Sequence, residues 1–237
     1  MAARCARSQR SGARGPAREP MSEPPQHRPQ PWPIRLTHWL TIPALLIMAG
    51  SGLQILKAFP AFGSRGALYR WYPLQHWVPP SSLRLGDWLA GARSLHFTFA
   101  WLLVANGAVY LAYVLGSGEW RRRVFEPGRD VRGAVGMFLY YLRLRREPPE
   151  TDLYNPLQRL AYTSAVGLGV IQVLSGLAIY NPVQLQWLLF VFGGYDSARL
   201  VHFAGLVALA AFVAVHIVMV ALHPRALIEM VTGGKPR

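Results

Sequence analysis

The sequence predicts an all-α fold, an integral membrane bundle of four helices with additional short interfacial helices. Three features predict it. Hydrophobic residues make up 52% of the 237 positions and the mean hydropathy is +0.19, as suits a chain that folds in lipid. Four apolar runs reach the ~20 residues needed to cross a bilayer. The charged residues gather between those runs rather than within them.

Placement also decides what the basic balance means. A net charge of +14 and a pI near 10.8 are of the size found in nucleic-acid-binding domains. Such domains collect Lys and Arg on one folded face, whereas here the arginines lie between apolar runs, so the expected partner is membrane lipid and not nucleic acid. The single cysteine, Cys5, sits in a polar tail, which excludes an intrachain disulfide, a thiolate-ligated cluster and a covalent haem attachment site. Metal or cofactor ligation falls to histidine.

Residues 1–33 are rich in Arg, Pro, Ala and Ser and hold no apolar stretch that could form the core of a signal peptide. A disordered tail is expected there, with His27 solvated, and either Met1 or Met21 serves as a start. Residues 34–232 form the membrane domain and 233–237 a short tail. The first span, Ile34–Leu56, carries His38 one turn inside its amino end, and Trp32 and Trp39 stand where interfacial aromatics belong. Pro43, in its interior, is expected to bend the helix without ending it. Residues 57–92 form a long loop whose Trp71, Trp77 and Trp88 suit short interfacial helices, with His76 on the surface.

The second span, Ser94–Leu115, opens on His96. A polar segment, 116–153, follows with the run Arg121, Arg122 and Arg123, and its stretch 137–146 (MFLYYLRLRR) is too short to cross and reads as a surface helix. The third span, Leu160–Tyr180, has no histidine but holds Gly167, Gly169 and Gly176. Asn155 suits its cap and Pro156 its first turn. The loop 181–197 includes a short apolar LQWLLFVFGG of interfacial length. The fourth span, Ala198–Leu222, has His202 and His216 as its only strongly polar side chains apart from Arg199 at its mouth. No internal repeat is apparent beyond a histidine recurring near helix ends.

His202 and His216 are fourteen positions apart, so they lie within ~40° of one helix face and ~21 Å apart in depth. A lone intramembrane histidine is ordinarily a packing residue with a satisfied hydrogen bond. Two on one face at opposite depths point to function, because ionisable groups are costly in lipid.

Topology follows from the basic residues. With the amino terminus inside, the segments 1–35, 116–159 and 223–237 hold 19 of the 25 Lys and Arg. Both termini are therefore expected in the cytoplasm. Under that topology His38 and His216 share the inner depth while His96 and His202 share the outer one. Two opposed histidines are what axial ligation of a b-type haem requires. Gly52, fourteen residues after His38, falls on its stripe at the outer depth, and Gly107, eleven after His96, lies near the inner depth, where each is expected to give clearance to a macrocycle.

The stretches RLTHWL (35–40), LHFTFAWLLVANG (95–107), YNPLQRLAY (154–162), LSGLAIYNPVQL (174–185) and FGGYDSARLVHF (192–203), with His216, resemble the di-haem, four-helix bacterial cytochromes b of the b561 type. That superfamily includes the membrane subunits of nickel-iron hydrogenases and formate dehydrogenase. Within it the chain is most similar to thiosulfate-reductase-like membrane anchors. The resemblance covers residues 34–232 and implies two haems b, held by His38 with His216 and by His96 with His202. It further implies electron transfer across a bacterial inner membrane between the quinone pool and a periplasmic redox subunit, typically a molybdopterin oxidoreductase. The chain then acts as an electron-transfer subunit and not as a stand-alone catalyst.

A quinone site on that reading lies by the inner pair, where Tyr154, Asn155, Gln158 and Arg159 form the densest polar cluster, and Arg159 or Arg35 pairs with haem propionates. Two other classes stay open at this point. A proton or metal transporter would also line its path with histidines, although intramembrane acids and broken helices in repeated halves, its usual marks, are missing from the sequence. A haem-free membrane anchor would leave four membrane histidines without a use.

Overall fold

The structure, a computed structural model, describes residues 30–60, 62, 77–149 and 155–234. The expectations placed on the amino-terminal tail up to residue 29, on Trp71, His76 and Tyr154, and on the last residues from 235 lie outside that range. Four long helices, α1 (Trp32–Ala58), α2 (Leu89–Gly116), α5 (Pro156–Tyr180) and α7 (Tyr195–Leu222), are each apolar and long enough to cross a membrane. Between α2 and α5 lie α3 (Trp120–Arg123) and α4 (Pro127–Tyr141); α6 (Gln186–Val191) joins α5 to α7, and α8 (Pro224–Thr232) follows α7. Among the described residues there is no strand.

Every spanning helix starts earlier than hydropathy alone predicts, by two residues in α1 and by three to five in the others. The added first turns contain Arg93, Arg159 and Asp196, residues that a hydropathy window excludes but a helix backbone accepts. At ~1.5 Å per residue, 27 or 28 residues reach through the ~30 Å hydrocarbon core into the headgroups on both sides. The start of α5 is set by a capping box: Asn155 Oδ1 accepts from the Gln158 N–H at 2.8 Å, Gln158 Oε1 accepts from the Asn155 N–H at 3.3 Å, and Pro156 occupies the first turn.

The surface helix expected at 137–146 lies further upstream. Pro127 opens α4 and Arg143, at φ 61°, ends the helical path, which leaves Arg145 and Arg146 beyond it. This helix buries Asp130, Ala134 and Met137 while Val131, Val135 and Phe138 stay exposed, the two-sided pattern of a helix lying in an interface.

Packing divides the spanning helices into two antiparallel hairpins. The main contacts join α1 to α2 and α5 to α7, and α4 braces α5. A small apolar cluster of Ala178, Leu188 and Ala198 forms where α5, α6 and α7 meet. The hairpins diverge instead of closing on each other, and a cavity fills the space between them.

One end of the bundle carries α3, α4, α8 and most of the arginines. Its centre is a buried ion pair: Arg159, 6% exposed, donates from Nη1 to Asp130 Oδ1 at 3.1 Å, and Asp130 is 2% exposed. The other donors of Arg159 reach the carbonyls of Arg122 (2.7 Å) and Arg121 (3.0 Å), so one guanidinium ties α5 to α3 and α4. Arg129 Nε and the Glu126 N–H complete the shell of the carboxylate. Burial pushes the Asp130 carboxyl up, but the hydrogen bonds from Arg129 and Glu126 and the charges of Arg159 and Arg129 outweigh it and hold the group below the usual carboxylate range.

A depressed carboxyl pKa contributes stability that is fully present above the unfolded value and is lost as pH falls through the folded one. Acid titration of thermal unfolding should therefore show no loss from this pair at neutral pH and a progressive loss below the ordinary aspartate range, which Asp130→Asn removes. Arg159→Ala leaves the buried carboxylate with Arg129 and the Glu126 N–H alone and frees the carbonyls of Arg121 and Arg122, and it should destabilise by about 1–3 kcal/mol. A neutral effect on unfolding would contradict the bracing role.

Candidate functional site

The space between the hairpins is a cavity of about 2510 Å³ lined by all four membrane histidines. That is more than twice the ~1,000 Å³ upper size of an ordinary small-molecule pocket. The structure brings the histidines together in two pairs across it. His38 of α1 faces His216 of α7 with ring centroids 6.1 Å apart, and His96 of α2 faces His202 of α7 at 6.2 Å. Each pair spans the divide between hairpins. The first lies toward the arginine-rich end and the second toward the far end.

Hydrogen bonds set the tautomer of the far pair. His96 Nδ1 lies 3.1 Å from the Met48 carbonyl and 3.1 Å from Ser51 Oγ, and Ser51 in turn donates to the Ile47 carbonyl at 2.7 Å. A carbonyl can only accept, so Nδ1 carries the proton and Nε2 keeps its lone pair. His202 parallels this: its Nδ1 lies 3.0 Å from Ser175 Oγ, and Ser175 donates to the Ile171 carbonyl at 2.7 Å, which leaves the hydroxyl oxygen to accept from Nδ1–H. Anchoring the distal nitrogen in this way is how proteins present imidazole to a metal.

The pair at the arginine-rich end is held by packing. Phe212 stacks on His216 at 6.0 Å and 11°, Trp39 meets His38 edge-on, and neither imidazole makes a hydrogen bond among the described residues. Asn106 of α2 fixes the neighbouring turn of α1 by donating to the Thr37 carbonyl and to Thr41 Oγ1, both at 2.9 Å.

The pairs fit a haem. A metal ion bonded at about 2 Å to an imidazole nitrogen on each side holds the two ring centroids about 6 Å apart, which is the separation at both depths. Among the described residues no three His, Cys, Asp or Glu side chains cluster, and each pair offers two opposed imidazole donors.

Three glycines shape the walls around these pairs. A Cβ on Gly52 would stand 3.3 Å from His96 Cε1, so this glycine makes room for the imidazole itself. Gly176 does the same for His202, at 3.2 Å. Gly107 lines the cavity, and a Cβ placed there would meet nothing within 4 Å, as open space for a ring requires.

Of the polar residues expected at the arginine-rich end, Asn155 and Gln158 line the cavity. Arg159 and Arg35 do not reach it. Arg159 is held by Asp130 and two carbonyls, and Arg35 donates to the carbonyls of Met230 and Val231 at the end of α8, where Trp39 Nε1 also binds Met230. Both guanidinium groups satisfy helix ends or a buried acid before any cavity ligand could claim them.

Sequence reasoning missed Ser51, Ser175 and Gly176. The signal was present in the tripeptide Ser-Gly-Leu, which occurs at 51–53 in α1 and again at 175–177 in α5, each opposite a histidine of the partner helix. The serine-to-histidine separations, 45 and 27 residues, differ because the intervening loops do, so no fixed period exposes the repeat.

A family model, prokaryotic cytochrome b561, matches residues 29–233. The chain is 39% identical over 203 residues, 86% of its own length and 94% of the other, to a protein of Azospira oryzae named putative protein-methionine-sulfoxide reductase subunit YedZ1. No solved structure matches.

If the two Ser-Gly turns are equivalent, Ser51→Ala and Ser175→Ala should destabilise alike, by about 1 kcal/mol each for the lost hydrogen bond. Thermal unfolding in detergent measures this, and a large effect at one serine with none at the other would contradict the equivalence.

Proposed function

The chain belongs to the prokaryotic cytochrome b561 family, and from that premise we propose that its two histidine pairs hold two b-type haems that link the quinone pool to a periplasmic redox subunit. The observation that carries the proposal is the pair of opposed imidazoles at each of two depths in one cavity. His38 and His216 would hold one haem at the arginine-rich end, and His96 and His202 the other at the far end. Each haem, when bound, supplies an iron that accepts and gives up one electron at a time.

The residues around the pairs bind, orient and exclude water. Ser51 with the Met48 carbonyl holds Nδ1–H of His96, and Ser175 that of His202, so that Nε2 remains the ligating nitrogen. Gly52, Gly107 and Gly176 keep the imidazoles and the ring planes clear. The apolar walls of α1, α2, α5 and α7 keep bulk water from both sites.

The arginine-rich end faces the cytoplasm of a bacterial inner membrane, since the segments assigned to that side hold 19 of the 25 Lys and Arg. Quinol binds on that side, beside the His38 and His216 pair. Asn155 and Gln158 use their carbonyl oxygens in the capping box, which leaves both side-chain NH2 groups to donate to the oxygens of the quinone. Oxidation of a quinol there would release two protons and two electrons, for which the bound haems would supply the one-electron acceptors.

The partner at the far end is a periplasmic oxidoreductase with a molybdopterin centre. The name of the Azospira oryzae relative favours reduction of protein methionine sulfoxide over thiosulfate as the outlet for those electrons.

Reduced-minus-oxidised spectra of single histidine variants test the assignment. His38→Ala and His216→Ala should lose one component, and His96→Ala and His202→Ala the other. Loss of the same component by a His38 and a His202 variant would overturn the pairing. Asn155→Ala with Gln158→Ala should slow haem reduction by quinol while both components remain, and unchanged rates would remove the quinone site.

A further inference from the structure

A second pattern repeats around the histidines. Arg93 precedes His96 by three residues on α2, and Arg199 precedes His202 by three on α7. Three residues are about 4.5 Å of rise and bring each arginine to within about 60° of its histidine's face. Both arginines line the cavity and stand one turn nearer its far mouth than the imidazoles.

Aromatic rings hold both guanidinium groups there. Arg93 lies over Phe97 at 5.7 Å, and Arg199 over the buried Phe62 at 5.3 Å. Arg199 also donates from Nη2 to the Phe59 carbonyl at 2.5 Å and stands 3.9 Å from Asp196. Arg93 makes no hydrogen bond or ion pair among the described residues. Asp196 is the one acid among the described residues lining this mouth, so the arginines there outnumber the acids by two to one.

The third arginine at this spacing, Arg35 before His38, is committed to the carbonyls of Met230 and Val231 and lies off the cavity. The same three-residue spacing therefore serves two purposes, a helix clamp at the arginine-rich end and a cationic mouth at the far end.

We propose that Arg93 and Arg199 form a carboxylate clamp at the far mouth and bind the two propionate groups of the macrocycle held by His96 and His202. The proposal rests on the haem assignment above. A planar guanidinium matches a carboxylate with two parallel hydrogen bonds, and a carboxylate drawn toward an apolar cavity needs such a partner. The two arginines come from different hairpins, so each takes one propionate and the ligand bridges the divide between them.

The clamp is tested by redox titration of the His96/His202 spectral component in the full-length protein, between pH 6 and 9, in Arg93→Gln, Arg199→Gln and the double variant. A nearby cation favours the reduced state, so each substitution should lower that midpoint potential and the double variant should lower it furthest. A propionate without its cation titrates closer to neutrality, so the variants should also gain a pH dependence absent from the parent. The His38/His216 component should not move.

If a glutamine variant fails to retain the far haem, Arg93→Lys and Arg199→Lys decide: recovery of haem and potential supports the clamp, and lysine variants as empty as glutamine variants overturn it. Parental potentials and pH profiles in the double Gln variant, with both haems bound, would also overturn it. In that case binding to vesicles of phosphatidylglycerol rather than phosphatidylcholine would identify lipid phosphate as the anion these arginines meet. Absence of any haem from the parent protein would instead remove the underlying assignment.

Discussion

The bond from each far imidazole to the neighbouring helix is the constraint on which the rest of the arrangement depends. His96 Nδ1 reaches across its hairpin to Met48 and Ser51, and His202 Nδ1 reaches across the other to Ser175. Each hydrogen bond lies within a hairpin, so it seals α1 to α2 or α5 to α7 while turning the opposite ring nitrogen toward the gap. A polar group that must be paired in lipid is thereby paired on one side only. The two hairpins are held internally and left open to each other, which is the geometry a ligand bound from both sides needs.

The arginine-rich end solves a different problem. Among the described residues no histidine of its pair is anchored by a hydrogen bond, and the helices are fixed by charge and carbonyls instead. Arg159 gathers α3, α4 and α5 around Asp130, Arg35 and Trp39 draw the end of α8 against α1, and Asn106 pins α2 to α1 beside His38. These groups brace the rim of the cavity while Asn155 and Gln158 remain on its lining.

Much of this was legible in the sequence, because lipid imposes long apolar runs and makes every intramembrane histidine conspicuous. The shared depths of His38 with His216 and of His96 with His202 follow from helical rise and the count of arginines alone, and the structure brings together the residues so matched. The cap at Asn155 was legible for the same reason, since a polar residue before proline and three before glutamine has few other uses. Ser51 and Ser175 were not, because a serine in an apolar helix usually bonds its own i−4 carbonyl, as both do, and nothing local marks the histidine it also meets. Arg159 and Arg35 misled for a related reason. Sequence shows that an arginine lies near a site, but the competition among a buried acid, helix-end carbonyls and a ligand is settled only in three dimensions.

The proposed function requires two haems, one in each pair of imidazoles. The direct measurement is the haem b content of the purified full-length protein, by pyridine haemochrome absorbance against protein concentration. Two haems per chain are expected, and a content of one or none would contradict the assignment.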